Sequence, residues 1–279
     1  VNIPQKDIKA FQTKILSWYK KNKRDLPWRE TRDPYRILVS EVMLQQTQVS
    51  RVIPKYEAWL DAFPTIEALA NAKTSEVLRL WSGLGYNRRA LYLQKTAKAL
   101  QELRISNYEL RNEKDTYWPK TIEALKKLPG IGEYTAAAVA CFAFDQQVAV
   151  VDTNVRKVIL TKLRINNYEL RMTEKEIQGV ADSLLPKGRA YEWNQALMDY
   201  ASAMLKQEKI PLVKQSAFKN SNRYYRGQII KILLEKKEVT VQELNDVFQK
   251  EETFVNGIVQ GLVKDGMITV TGEQLAISH

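Results

Sequence analysis

Leu128-Pro129-Gly130-Ile131-Gly132-Glu133-Tyr134-Thr135 sets a proline and two glycines directly ahead of a run of small apolar residues. Pro129 fixes one backbone angle, and two glycines separated by a single residue allow the chain to turn with positive φ. The small apolar run from Thr135 to Phe144 then reads as a tightly packed, buried helix. A turn of this kind leaves the first amides of the helix unpaired and pointing outward, which makes an anion site. Lys126 and Lys127 stand just before it. From these eight residues alone, an ordinary Gly-Pro turn between two helices reads equally well. The sharper signal is the combination with Asp152, which stands at the mouth of the next helix between Val151 and Thr153-Asn154.

The 279 residues suffice for one large or two modest domains with real cores. The 43 Lys+Arg against 32 Asp+Glu give a net charge of +11, which favours a polyanionic partner such as nucleic acid. No apolar run is long enough to span a bilayer, and the first residues lack the apolar core of a signal peptide. Both observations point to a cytoplasmic protein with no membrane partner. Cys141 is the single cysteine and reads as a small core residue, so intramolecular disulfides and cysteine-built metal sites are excluded. The sole histidine is His279, which argues against histidine catalysis and zinc ligation. The expected metal complement is none.

Residues 6–22 space their apolar side chains as an amphipathic helix. Arg24-Asp25-Leu26-Pro27-Trp28-Arg29 and its continuation to Tyr35 hold two prolines, so an ordered loop is expected. Arg24, Arg29 and Arg32, interleaved with aromatics, are either surface charges or contacts to phosphate or base. Residues 36–48 look helical, with Glu41 set among Val39, Val42, Met43 and Leu44. An isolated acid in such a run usually reaches solvent or a partner from the helix face; desolvated instead, its pKa would rise and make it a proton donor near neutrality. Gln45, Gln46 and Thr47 follow, with amides and a hydroxyl suited to base-edge hydrogen bonds. Gly83-Leu84-Gly85-Tyr86 turns into a basic helix that runs to about Leu103. Leu103–Arg111 recurs almost verbatim as Leu163–Arg171, and both copies read as surface inserts between helices. Residues 222–279 read as a small separate module, with three helices (Arg226–Leu234, Thr240–Phe248, Phe254–Val263) and a hairpin turning at Gly272. That order suggests a winged helix, whose third helix is poor in cations and reads equally well as a protein-packing surface, so Asn222–Arg226 is its better DNA-facing segment.

The hairpin followed by Asp152 resembles the helix-hairpin-helix DNA glycosylase superfamily. With S-E-V-M-L-Q-Q-T at Ser40–Thr47, L-P-W-R at Leu26–Arg29, R-D-P-Y at Arg32–Tyr35 and E-W-N-Q at Glu192–Gln195, the chain is similar to its MutY-type adenine glycosylases. The resemblance covers roughly residues 8–205. It implies an all-α, two-lobed fold with the cleft between the lobes. The domains are then a glycosylase domain over 1–205, a linker over 206–221 and the winged-helix-like module over 222–279. It implies a monomer that acts near the nucleoid on double-stranded DNA with a mismatched or oxidised pair, excising adenine opposite 8-oxoguanine or guanine. Glu41 would be the general acid, Asp152, kept ionised by the helix N-terminus and Asn154, the stabiliser or covalent trap of the sugar cation, and Tyr134 the lining of the pocket's sugar side. Where bifunctional relatives carry a strand-cleaving lysine, Tyr134 implies base removal alone. Arg24, Leu26, Trp28, Arg29, Leu44, Gln45, Gln46, Thr47, Gly130 and Gly132 would contact DNA or base. Tyr86 would wedge into the base stack, unless it is only a helix-start aromatic. Gln195 would touch the base, or else face solvent. Most such enzymes hold an iron-sulfur cluster on four cysteines; this chain has Leu205, Leu212, Gln215 and Ser221 at those positions, so no cofactor is expected. The family's usual C-terminal β-rich domain is not legible here. A thymine or uracil glycosylase acting opposite guanine, and a non-catalytic DNA-binding protein, stay open beside the adenine reading.

Overall fold

The computed structural model describes residues 3–106, 118–162, 172–207 and 217–278. Most of both copies of the repeated segment, together with Leu212 and Gln215, lies outside the described residues. The chain divides into two compact units that do not follow chain order. One comprises Val1–Glu41, Trp118–Lys127 and Ile131–Leu212; the other comprises Val42–Tyr117, Leu128–Gly130 and Val213–His279.

In the first unit, α1 (Gln5–Asn22), α9 (Thr153–Lys162) and α11 (Ala190–Gln207) pack together, with α10 (Glu174–Ser183) closing the core. Phe11, Ile15, Ile159, Trp193 and Ala201 fill it, and Phe11 meets Trp193 edge-on at 5.9 Å between centroids. Short α7 (Ile122–Leu125) leads to α8 (Glu133–Phe144), whose residues from Thr135 to Phe142 are all buried. A helix apolar on every side belongs inside, as its composition indicates. The unit also takes in the start of α2 (Pro34–Leu44). Pro34 does not extend the preceding loop but opens this helix, where a missing N–H costs nothing. The Asp33 carboxylate caps it, accepting from the Tyr35 amide at 2.8 Å.

The second unit gathers α3 (Val49–Ala62), α4 (Ile66–Asn71), α5 (Thr74–Trp81) and α6 (Arg88–Ser106). Its core holds Trp59 between the ring edges of Phe63 and Trp81. The same unit contains α12 (Asn222–Lys236), β1 (Glu238–Thr240), α13 (Val241–Phe248), α14 (Glu252–Lys264), β2 (Ile268–Thr271) and β3 (Gln274–Ile277). The strands form an antiparallel sheet ordered β1-β3-β2, with Leu275 opposite both Val239 and Val270. This is the expected set of helices and hairpin, turning at Gly272 with φ +61°, plus β1. That strand is three residues long, too short to show a period of two. Among the described residues the fold is all-α apart from this small sheet. Among the described residues no helix is long and apolar enough to cross a membrane.

Candidate active site

Within the first unit, the structure brings Glu41, Tyr134 and Asp152 together. Glu41 lies near the end of α2, only 5% exposed among the apolar side chains that the sequence places around it. Burial raises its carboxyl from the ordinary 4.5 to about 7. A hydrogen bond from the Tyr134 hydroxyl to Oε2 at 2.8 Å pulls the other way, and so, more weakly, does Arg29, while the charge of Asp152 pushes it up. A carboxyl with these neighbours is half-protonated near neutral pH, which suits a proton donor.

Tyr134 stands in the first turn of α8, half-buried with its hydroxyl on Glu41. Burial and the adjacent Glu41 and Asp152 charges raise its pKa well above 10, so it stays a neutral phenol that donates. Asp152 immediately precedes α9, and its Oδ1 accepts from the Val155 amide at 2.6 Å. Its environment is less simple than a helix N-terminus that holds the charge in place. Burial dominates and lifts its pKa above the ordinary 3.8, while the Val155 and Asn154 amides oppose that rise. Asn154 thus acts on Asp152 through its backbone N–H rather than through its side chain.

The loop arginines are engaged inside the protein. Asp199 of α11, fully buried, accepts from Arg24 Nε and Arg29 Nη2 at 2.6 Å each, and from the Arg24 amide at 2.9 Å. Burial raises the Asp199 pKa, but the hydrogen bonds from Arg29 and the Arg24 amide outweigh it and hold the carboxyl below 3.8. Arg29, with its side chain 9% exposed, is therefore a buried member of an ion-pair cluster rather than a surface phosphate contact, and it influences Glu41 from there. Arg24 is more open but is held by the same carboxylate. Leu26 and Trp28 are core residues of this loop. Arg32 donates to the Phe142 carbonyl and stacks on Tyr191 with its guanidinium 3.7 Å from the ring centre. Gln195 is buried rather than facing solvent. Its neighbour Asn194 accepts from the Val150 amide and donates to the Val148 carbonyl, fixing the segment that leads to Asp152. Sequence reading singled out neither Asp199 nor this role of Asn194. The available signal was a polar residue on the apolar stripe of a helix, the same signal that marks Glu41.

The second unit groups another set of expected residues. α2 ends at Leu44 rather than Gln48, and Gln46 is left-handed with φ +54°. The physical reason is Arg89, whose guanidinium collects the carbonyls of Val42, Met43 and Gln45 at 2.6–3.1 Å and the Thr47 hydroxyl at 3.3 Å. It ties off the helix end and, from the same group, holds the Leu84 and Gly85 carbonyls of the turn before Tyr86. Burial lowers its pKa to about 10. Leu44, Gln45 and Thr47 are half-buried and Gln46 is exposed. Tyr86 is 41% exposed at φ +50°, a conformation that a bulky residue rarely adopts.

The two glycines of the opening stretch differ. Gly130 has φ +77°, and a Cβ on it would meet Tyr92 Cβ at 2.5 Å, so glycine is required twice over. Gly132 is extended rather than left-handed, with φ −90° and ψ 180° as the N-cap of α8. Among the described residues nothing beyond its chain neighbours lies within 4 Å of a Cβ at this position, and Gly132 offers no side chain to cap the helix. The Gly132 N-cap thus supplies no side-chain acceptor to the first turn of α8. Among the described residues no cluster of His, Cys, Asp and Glu suited to a metal ion is found.

Residues 39–183 match the family described as HhH-GPD superfamily base excision DNA repair protein. The adenine DNA glycosylase of Mycolicibacterium smegmatis is 34% identical, over 93% of this chain and 95% of its own. That of Mus musculus is 38% identical over 80% of this chain, but the match spans only 44% of the mouse protein, under half its length. The solved structure of a thermostable thymine-DNA glycosylase is similar with a TM-score of 0.60 at 30% identity, covering 71% of this chain and 87% of that one.

Proposed function

Since the chain belongs to the HhH-GPD superfamily of base excision DNA repair proteins, we propose that it is a monofunctional adenine DNA glycosylase. Its substrate is duplex DNA in which adenine is mispaired with 8-oxoguanine or guanine, and it works as a cytoplasmic, nucleoid-associated monomer. The observation that carries this reading is the buried Glu41, poised near pH 7 and hydrogen-bonded to Tyr134, beside Asp152. Excision needs two things of the protein: a proton for the departing base and a negative charge for the sugar cation it leaves behind. Protonated Glu41 delivers a proton to N7 of a flipped-out adenine, the C1′–N9 bond breaks, and its electron pair leaves with the neutral base. Asp152 stabilises the oxocarbenium-like sugar, either as an ion pair or through a transient bond to C1′. Water then supplies the oxygen at C1′, and its proton returns to a carboxylate. Tyr134 keeps the Glu41 carboxyl oriented; a phenol forms no Schiff base, so the strand is left uncut.

Supporting the DNA partner are the net charge of +11, the uncapped N-terminus of α8 with open space at Gly132, and the exposed Tyr86. Gln45, Gln46, Thr47, Leu44 and Gln195 are the candidates for base contact, and Tyr86 for the wedge that fills the stack. A single cysteine cannot hold a four-cysteine iron-sulfur cluster, so we assign the protein no cofactor. The likeness to a thymine-DNA glycosylase structure favours one second reading, thymine or uracil removal opposite guanine. Incubation with A:8-oxoguanine, A:G, T:G and U:G duplexes followed by alkali separates them. Strand breaks only at adenine support the proposal, breaks at T:G or U:G establish the second reading, and tight binding without breaks leaves a DNA-binding protein.

A further inference from the structure

The hydroxyl of Tyr86 is not left to solvent: Arg223, in the first turn of α12, donates to it from Nη1 at 2.6 Å. The Arg223 guanidinium carbon lies 5.6 Å from the Tyr86 ring centre, and that of Arg89 lies 5.7 Å from it. Arg223 comes from the C-terminal module, 137 residues away in sequence, so this contact has to be built by the fold. Two further features fix it. Ser221 caps α12 by accepting from the Tyr224 amide, which sets the direction in which the first turn projects Arg223. Asp265, at the end of α14, pairs with Arg226 one turn further along α12 and with Arg88 of α6 at 3.3 Å, two residues after Tyr86. The tyrosine is thus held from its own backbone by Arg89 and the left-handed turn, and from its hydroxyl end by the module.

We infer that Arg223 is a positioning residue for Tyr86, fixing the ring before it enters the base stack, so that the C-terminal module takes part in substrate recognition through this one side chain. The inference rests on the proposed reading of Tyr86 as a wedge. An exposed tyrosine on an ordinary turn samples several rotamers, and ordering it on binding costs conformational entropy. A guanidinium hydrogen bond removes much of that freedom beforehand, and its planar fork suits the role better than an ammonium.

The test is a double-mutant cycle on the full chain with Tyr86→Phe, Arg223→Met and both together. Two readouts are needed: adenine excision split into kcat and KM, and the fluorescence of 2-aminopurine placed at the target position, which reports unstacking. Each single change is expected to lower kcat/KM and the unstacking signal about fivefold to tenfold, as for net loss of one solvent-accessible hydrogen bond. The double variant should be no worse than Tyr86→Phe alone. Multiplicative effects, or an Arg223→Met effect confined to KM and equally large in the Tyr86→Phe background, would overturn the inference and make Arg223 a plain phosphate contact. Arg223→Lys separates charge from geometry: full restoration by lysine also counts against positioning. If the wild type unstacks the probe yet excises no adenine, the glycosylase reading fails while the cycle still decides the role of Arg223. A wild type that leaves the probe stacked overturns both.

Discussion

A carboxyl group buried beside a phenol carries a stability signature as well as a catalytic one. The Glu41 pKa rises from 4.5 to about 7 in the folded chain, so the folded state binds the proton more tightly than the unfolded one. Its stabilising contribution is therefore complete below about pH 4.5 and is lost as pH rises through 7. At 1.36 kcal/mol per pH unit, the penalty at pH 8 is at most about 3 kcal/mol. Glu41→Gln keeps an acceptor for Tyr134 and removes the charge, so it should raise the melting temperature at pH 8 and leave it nearly unchanged at pH 4.5. An equal effect at both pH values would mean the carboxyl is not desolvated. The same variant should lose almost all excision, because an amide delivers no proton, and wild-type kcat should decline as pH rises above about 7. Asp152→Asn should lower kcat about 10²-fold or more with duplex affinity retained, measured by single-turnover kinetics and a binding titration. Glu41 was legible as the lone acid in the run Val39–Leu44, a position that either reaches solvent or is desolvated. Its tie to Tyr134 was not, since a contact across 93 positions leaves no local pattern. For the same reason Arg29 read as a DNA contact: its charge is visible in the sequence, but its buried partner Asp199 is not.

At the scale of elements, the opening stretch separates what the chain needs for itself from what it offers to a partner. Gly130 is needed by the fold, with positive φ and Tyr92 against its Cα, whereas Gly132 faces open space. Gly130→Ala should therefore destabilise the protein by about 2 kcal/mol or more, through strain and overlap together. Gly132→Ala should change stability by about 1 kcal/mol or less, since only an N-cap preference is lost. If a phosphate docks at the start of α8, however, the added methyl should still weaken duplex binding several-fold. Thermal melts and fluorescence anisotropy on both variants check this, and unaltered binding by Gly132→Ala would remove the hairpin from the DNA interface. The two glycines look alike in sequence, and the reading that both turn with positive φ failed because Gly132 caps the helix instead. Helices were legible from apolar spacing in α1, and from an unbroken run of small apolar residues in α8. The end of α2 was not, because Arg89, on another helix, sets it. Nothing in Arg88-Arg89 tells which arginine is buried.

For the molecule as a whole, chain order is a poor guide to which parts cohere. Residues 222–279 read as an appended module, yet they belong to the same compact unit as residues 42–117. Asp265 is one part of the join: it pairs with Arg226 inside the module and with Arg88 on α6, with only 13% of its side chain exposed, while Arg223 of the same helix reaches Tyr86. Two cations that share a mostly buried anion depend on it, because losing the anion leaves like charges facing each other. Arg88 is itself half exposed, which tempers the effect through solvent screening. Asp265→Asn should thus cost about 1–3 kcal/mol in global unfolding while loosening the module selectively. Hydrogen exchange should speed up along α12, α14 and the sheet, while α1, α9 and α11 keep their protection. Duplex affinity should fall with it, since Arg223 would no longer be held on Tyr86. The excision rate at saturating enzyme should fall less, as Glu41, Tyr134 and Asp152 all lie in the other unit. Exchange that is unchanged in the module, or raised evenly across the chain, would mean Asp265 is a surface charge and the module is anchored by its apolar face alone.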